Sequence, residues 1–276
     1  MNKAFGQNKW ASYLVLSFWA LLALLPLWML LSISLKGEQE LTRFPLSIPN
    51  VWRFGNYTQA WKDAHLGVAF WNSLLITGCS LLAIIVIGAM AAYPLARFAN
   101  RLTNGVYTLF VAGMVLPFQL AIIPLYKIIK AMHLMNSPIS AILIYTTSHL
   151  AFTIFIYTGF MKSVPRELDE AALIDGCGPF RTFWQIIFPL MKPATSTVAI
   201  MNSLFIWNDL LVPLLFLQGR SSQTIPLAIF SFVGDYNNNW PLMFAAIVIS
   251  SVPLIALFVF AQKHFVKGIT AGAVKS

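Results

Sequence analysis

The chain has 276 residues, of which 58% are hydrophobic and 10% charged, and its net charge is +9. A soluble domain carries roughly a quarter charged residues, so the composition excludes an ordinary soluble protein and implies a polytopic membrane protein. The basic residues are spread over the loops rather than gathered in one patch, which argues against a nucleic-acid surface.

Residues 1–9 are short and carry Lys3 and Lys9. Trp10 to Leu35 then runs without a charge, enough for the roughly 20 residues of a spanning helix, with Pro26 as an expected kink. This run is too long for a signal-peptide core and lacks a clear small-residue cleavage site, so no cleavable signal is expected. Residues 36–69 are polar, broken by Pro45, Pro49 and Gly55, with Trp52, Tyr57 and Trp61 suited to an interface. Further spans are expected at about Phe70–Tyr93, Gly105–Tyr126 (interrupted by Pro117 and Pro124), Pro138–Phe160, Thr195–Leu217 and Leu242–Gln262. The expected architecture is therefore all-α, one transmembrane domain over residues 1–276 with six transmembrane helices. Cys79 falls in an apolar run and Cys177 in a polar one, so no disulfide is expected.

Six spans put both termini on one side. On that side lie Lys3, Lys9, Arg97, Arg101, Lys162, Arg166, Arg181, Lys192, Lys263, Lys267 and Lys275, eleven of the 18 basic residues. The positive-inside rule then places both termini, and the loop at 161–194, in the cytoplasm.

That loop is a polar island between two apolar runs. Pro165 to Gly176 holds Glu167, Asp169, Glu170 and Asp175, four of the nine acidic residues. Pro165 suits a helix start, the acids suit its positive end, and Gly176 suits its termination. Phe180, Phe183, Trp184 and Ile187 then recur at i, i+3, i+4, i+7 as the apolar stripe of a second helix, ended by Pro189 and Pro193. A short helix, a glycine hinge and a second helix against the membrane suit docking into another protein's groove.

The spacing of Glu170-Ala171-Ala172, Gly176, Ile186 and Pro189 resembles the EAA loop of membrane subunits of binding-protein-dependent ABC importers. Asp175 before Gly176, and Pro193, make the resemblance strongest to the sugar-import branch, near the smaller membrane subunit of maltose-type transporters. Phe188 and Cys177-Gly178 depart mildly from the family pattern. The resemblance implies the type I ABC importer permease fold in a bacterial or archaeal inner membrane. It implies that Glu170, Ala171, Ala172, Asp175, Gly176, Ile186 and Pro189 couple the chain to an ATPase. It further implies a second homologous permease subunit, two ATPase subunits, an extracytoplasmic solute-binding protein and an imported sugar or oligosaccharide. ATP would be used by the partner subunits, with no cofactor bound by this chain. The segment Gly268–Lys275 also resembles the family's C-terminal end.

The chain has no G-x-x-x-x-G-K-[ST], no H-E-x-x-H and no G-x-S-x-G, and its four histidines have no ligand spacing, so neither phosphate-loop nor metal chemistry is expected. His149 falls within the fourth span beside Thr146, Thr147 and Ser148, where interhelical hydrogen bonding or a pathway role would each suit it. Asp209 is the one acid inside an expected span, and a carboxylate there needs a cavity or a partner. In one reading Asn208 and Asp209 accept hydrogen bonds near the translocation path and Trp207 offers a ring face to a sugar. In the other Asp209 pairs within the complex and holds helix packing. Gln119, between Pro117 and Pro124, is a further pathway candidate. The segment Gly234–Trp240 points outward in this topology, as a connector or toward the solute-binding protein. An importer permease for a non-sugar solute is the alternative within the family. An ion-coupled transporter would show more buried ionisable groups, and an intramembrane enzyme would need a nucleophile–base or metal set.

Overall fold

The computed structural model describes residues 9–233 and 239–273, and all regular structure among them is helical. Two compact units are present. One takes in the chain up to Leu66 together with Ala228–Val252; the other takes in Gly67–Leu227 and the chain from Pro253 on.

In the first unit α1 (Lys9–Ser34) contains Pro26 and presents exposed apolar side chains along most of its length. Past its end the chain turns polar and folds back. The short helices α2 (Glu38–Arg43) and α3 (Gly55–Asp63) pack around a buried Lys36. The ammonium of Lys36 donates to Phe44 O at 2.8 Å and Pro45 O at 3.1 Å, which offsets the cost of taking it out of water. Asn56 donates to Ser34 O and Lys36 O, each at 2.8 Å, and ties α3 to the end of α1.

α4 (Leu66–Arg97) is the longest helix up to this point and ends on Arg97. Asn100 and Thr103 form a reciprocal cap that starts α5 (Arg101–Val115). Pro117 disfavours helix at Leu116, which is extended at φ −74°, ψ 124°. The chain resumes through a tight turn, Phe118–Ala121, into α6 (Ile122–Ala131), and the pair is bent by 96°. α7 (Pro138–Met161) has Ser137 as its cap and Pro138 at its first position. It is the central helix of the second unit, burying Ile144, Tyr145, Ile154, Tyr157 and Met161. α4 approaches it closely at Gly88, where an added Cβ would lie 2.5 Å from the Thr153 methyl. Ala89 and Ala92 beside it are fully buried, the small-residue surface that lets helices meet in a membrane.

The loop helices α8 (Glu167–Ile174), α9 (Pro179–Thr182) and α10 (Phe188–Leu190) follow, then α11 (Lys192–Asn208), α12 (Leu211–Phe216), α13 (Ile225–Phe230) and α14 (Trp240–Ala273). Of the expected spans, the first, second and fourth coincide with helices long and apolar enough to cross a membrane. The third is the bent pair α5–α6, a fourth crossing if the two count together. The fifth is broken at Asp209, and the sixth has a shorter described apolar stretch, Trp240–Ala256.

Candidate functional site

α8 has three acids in its first turn, Glu167, Asp169 and Glu170, at the end where the helix dipole favours them. It stops because Gly176 takes φ +77°. The amide of Cys177 then donates to Ala172 O at 2.9 Å and that of Gly176 to Leu173 O at 3.0 Å, the paired bonds of a glycine-terminated helix. Nothing lies within 4 Å of a Cβ built on Gly176, so the glycine is needed for its backbone angle rather than for space.

The two faces of α8 differ. Ala172 is buried against its own chain at 2% exposure, while Leu173 and Ile174 are 71% and 86% exposed. Glu170, Ala171, Asp175 and Gly176 are exposed with them. The expected coupling residues therefore divide: Ala172 faces inward, and Glu170, Ala171, Asp175 and Gly176 lie on or beside the outward face. Beyond the hinge, Phe183 and Ile187 are buried, Ile186 is half-buried and Pro189 is exposed. Pro189 has no N–H to offer the carbonyl of Gln185, and the helix widens there into a π turn over Phe183–Ile187. Rings of Phe180, Phe183, Trp184 and Phe188 stack edge to face along this stretch.

The inward face of α8 carries an ion pair. Asp169 Oδ2 lies 2.8 Å from the Arg97 guanidinium, and Asp169 Oδ1 accepts from the Tyr93 hydroxyl at 2.7 Å. Arg97 also donates to Met161 O at 3.1 Å and Val164 O at 2.9 Å. The Tyr93 ring packs on Phe183 with centroids 5.3 Å apart. In the sequence Arg97 reads only as a loop charge and Asp169 only as a dipole partner. The signal that could have joined them is Tyr93 and Arg97 at i, i+4, a donor pair on one helix face facing an acid in an otherwise acid-poor chain.

The second polar group lies where α11 breaks. Asp209 is extended at φ −71°, ψ 129°. Its carboxylate accepts from the amides of Leu211 at 3.2 Å and Val212 at 3.0 Å and so caps α12. It also accepts from the Tyr145 hydroxyl of α7 at 2.8 Å. Along the same α7–α11 contact the fully buried Asn202 donates to Thr153, and Tyr157 donates to Thr195. His149 lies between the rings of Tyr145 and Phe205. Trp207 is buried with its ring edge-on to Phe70, and Asn208 is exposed and donates to Leu204 O. Gln119 is exposed on the turn before α6, and among the described residues no hydrogen bond joins it to the Asp209 group. Asp209 therefore has a local structural task, capping α12 and joining it to α7.

In the first unit a polar basin of about 370 Å³ is lined by Glu38, Glu40, Arg53, Asn56 and Gln59 among others. The segment Gly234–Asn238 and the side chains of the Gly268–Lys275 tail lie outside the described residues. Cys79 and Cys177 are free, and among the described residues no three His, Cys, Asp or Glu side chains gather as metal ligands.

Residues 84–271 match the family described as binding-protein-dependent transport system inner membrane component. The chain is 39% identical over 255 residues to the melibiose/raffinose/stachyose import permease protein MelC of Bacillus subtilis, covering 91% of each chain. It is 37% identical to the probable starch degradation products transport system permease protein AmyC of Thermoanaerobacterium thermosulfurigenes, covering 93% of each. It is 35% identical to the multiple sugar-binding transport system permease protein MsmG of Streptococcus mutans over the whole of both chains. A chain of a crystallised bacterial ABC transporter for import of the acidic polysaccharide alginate superimposes with a TM-score of 0.82 at 21% identity, covering 92% of this chain and 95% of that one.

Proposed function

The chain belongs to the family of binding-protein-dependent transport system inner membrane components, and on that premise we propose that it is the permease subunit of an ATP-driven importer of a sugar or oligosaccharide. Relatives named for melibiose, starch products and multiple sugars, matched over nearly their full lengths, support the cargo class. The chain is a transport subunit, and hydrolysis belongs to separate ATPase subunits. Six helices cross the membrane in one domain over residues 1–276, the third and fifth through broken segments, with both termini and the 161–194 loop in the cytoplasm. A homologous permease, two ATPases and an extracytoplasmic solute-binding protein complete the importer. Closure of the ATPases pushes on α8 and switches the membrane helices between outward and inward access. Glu170, Ala171, Asp175, Gly176, Ile186 and Pro189 shape that docking element, with Ala172 seating its inward face. Trp207, Asn208, Asp209 and Gln119 are the pathway residues.

The observation that carries the docking role is the two-sided α8. Its inner face is bonded to its own chain, yet Leu173 and Ile174 stand exposed at its tip, where a solvated loop would place polar side chains. An apolar tip with Glu170 beside it suits an apolar cleft with a hydrogen-bonding rim. The test is co-purification of the ATPase from membranes carrying Leu173→Arg. The ATPase is expected to be lost while the permease level stays normal, and stoichiometric retention would remove α8 as the docking element. Gly176→Val, which opposes the positive φ, is expected to act in the same direction. Uptake in vesicles should stop with vanadate and survive a protonophore; the opposite pattern would indicate an ion-coupled carrier.

A further inference from the structure

We infer that Arg97 and Asp169 form a latch that makes α8 and the loop-side end of α4 move as one body, so that a push on α8 reaches α4 directly. The inference rests on the reading of α8 as the docking element. It concerns positioning: neither residue lies on the exposed face that would meet a partner.

The chain itself connects α8 to α7, through residues 162–166, and to α9 beyond Gly176. It makes no nearby connection between α8 and α4, since Tyr93 and Asp169 are 76 residues apart. Mechanical linkage to α4 therefore depends on side chains, and those side chains converge on one carboxylate. Asp169 holds the Arg97 guanidinium with one oxygen and the Tyr93 hydroxyl with the other. The guanidinium's other terminal nitrogen donates to Met161 O and Val164 O, at the end of α7 and in the turn after it. A planar group with acceptors on two sides has little freedom to swing, unlike a lysine ammonium at the same place. The side chains of Arg97 and Asp169 are 7% and 20% exposed, so water screens the pair little. It is the one salt bridge among the described residues. Ala172, one turn along the same inner face, is buried and lets α8 sit close while the pair forms. Three elements thus meet at Arg97: the ends of α4 and α7, and the first turn of α8.

The test follows relative motion in the assembled importer. Both native cysteines are replaced (Cys79→Ser, Cys177→Ser), and spin labels are placed at the exposed positions Phe98, just past α4, and Glu167, at the start of α8. Distances are measured in vesicles without nucleotide and after trapping with ATP and vanadate. With the latch intact, one narrow distance is expected in both states. With Asp169→Asn, the trapped state should show a second, displaced distance while the ATPase still co-purifies. Tyr93→Phe, which removes one hydroxyl, should show a smaller displaced population. An unchanged single distance in Asp169→Asn would overturn the latch, as would a distance that shifts on trapping with the latch intact. Loss of the ATPase from Asp169→Asn would also count against it, by placing Asp169 in the docking surface. Retention of the ATPase by Leu173→Arg removes the docking reading alone, so the two failures are distinguishable.

Discussion

Asp169 and Asp209 lie in the same unit, and each accepts a tyrosine hydroxyl, from Tyr93 at 2.7 Å and from Tyr145 at 2.8 Å. Their remaining partners differ. Asp169 has a full cation, Arg97, reaching it from another helix. Asp209 has the amides of Leu211 and Val212, two and three residues ahead in its own chain. The first arrangement joins separate elements; the second stabilises a break in one segment. In water-poor surroundings a carboxylate needs compensation of either kind, and the choice of partner decides whether the residue acts as a connector or as a cap.

The largest effect that tests this contrast is expected from Asp209→Ala. It leaves two amides at the start of α12 and the Tyr145 hydroxyl without their acceptor. Charge-assisted bonds are worth roughly 1.5–3 kcal/mol each and are not additive, so a loss of about 3–5 kcal/mol is expected. Thermal unfolding of the complex in detergent should show it as a clear drop in Tm and reduced recovery of the partner permease. Asp209→Asn keeps one acceptor oxygen and should cost about half as much, with the complex still assembling. If that assembled complex has lost or altered uptake, Asp209 also serves the path. If uptake is unchanged, capping is its whole task.

Asp169→Asn comes next. Arg97 retains its two carbonyl acceptors, so a stability loss of about 1–3 kcal/mol is expected, within the range for a weakened charge-assisted contact. Its larger consequence should be functional: sugar moved per ATP hydrolysed falls on the order of tenfold, the change that about 1.4 kcal/mol of lost coupling free energy gives. Reconstituted vesicles report both rates. If both fall in proportion, Asp169 acts like Asp209, through stability, and the contrast between the two carboxylates disappears.

Much of the docking loop could be read from the chain because its signals are local. Pro165, the run of acids and Gly176 each act within one helical turn, and α8 begins and ends close to where they place it. The second helix was expected from an i, i+3, i+4, i+7 stripe, but that stripe cannot register an interruption, and Pro189 turned part of it into a π turn. Apolar runs located the first, second and fourth spans for the same local reason. They could not show that the third bends sharply at Pro117 or that the fifth breaks at Asp209, because a broken span has the same composition as a continuous one. The inward side of α8 was out of reach for a different reason. Which of two adjacent alanines is buried depends on how α8 seats on the rest of the chain, and the partner of Asp169 lies on a helix that ended far earlier in the chain.

The smallest effects compare the two tyrosines. Tyr93→Phe and Tyr145→Phe each delete one hydroxyl and keep the ring. Each removes a bond to a carboxylate that keeps other partners, so no more than about 1 kcal/mol is expected from either. The two should nevertheless part in kind. Tyr145 is nearly fully buried at 3% exposure, and among the described residues its hydroxyl is the one side-chain donor that reaches Asp209. Tyr145→Phe should therefore lower the Tm of the complex and leave the sugar-to-ATP ratio unchanged. Tyr93 is half-buried, and Arg97 still compensates Asp169 when the hydroxyl is gone. Tyr93→Phe should therefore barely move Tm, yet lower the ratio a few-fold, because one of the two bonds joining α4 to α8 is lost. Combining Tyr93→Phe with Asp169→Asn should add little to the single change, since both cut the same link. Full additivity in that cycle would mean that the Tyr93 hydroxyl acts through a group other than Asp169.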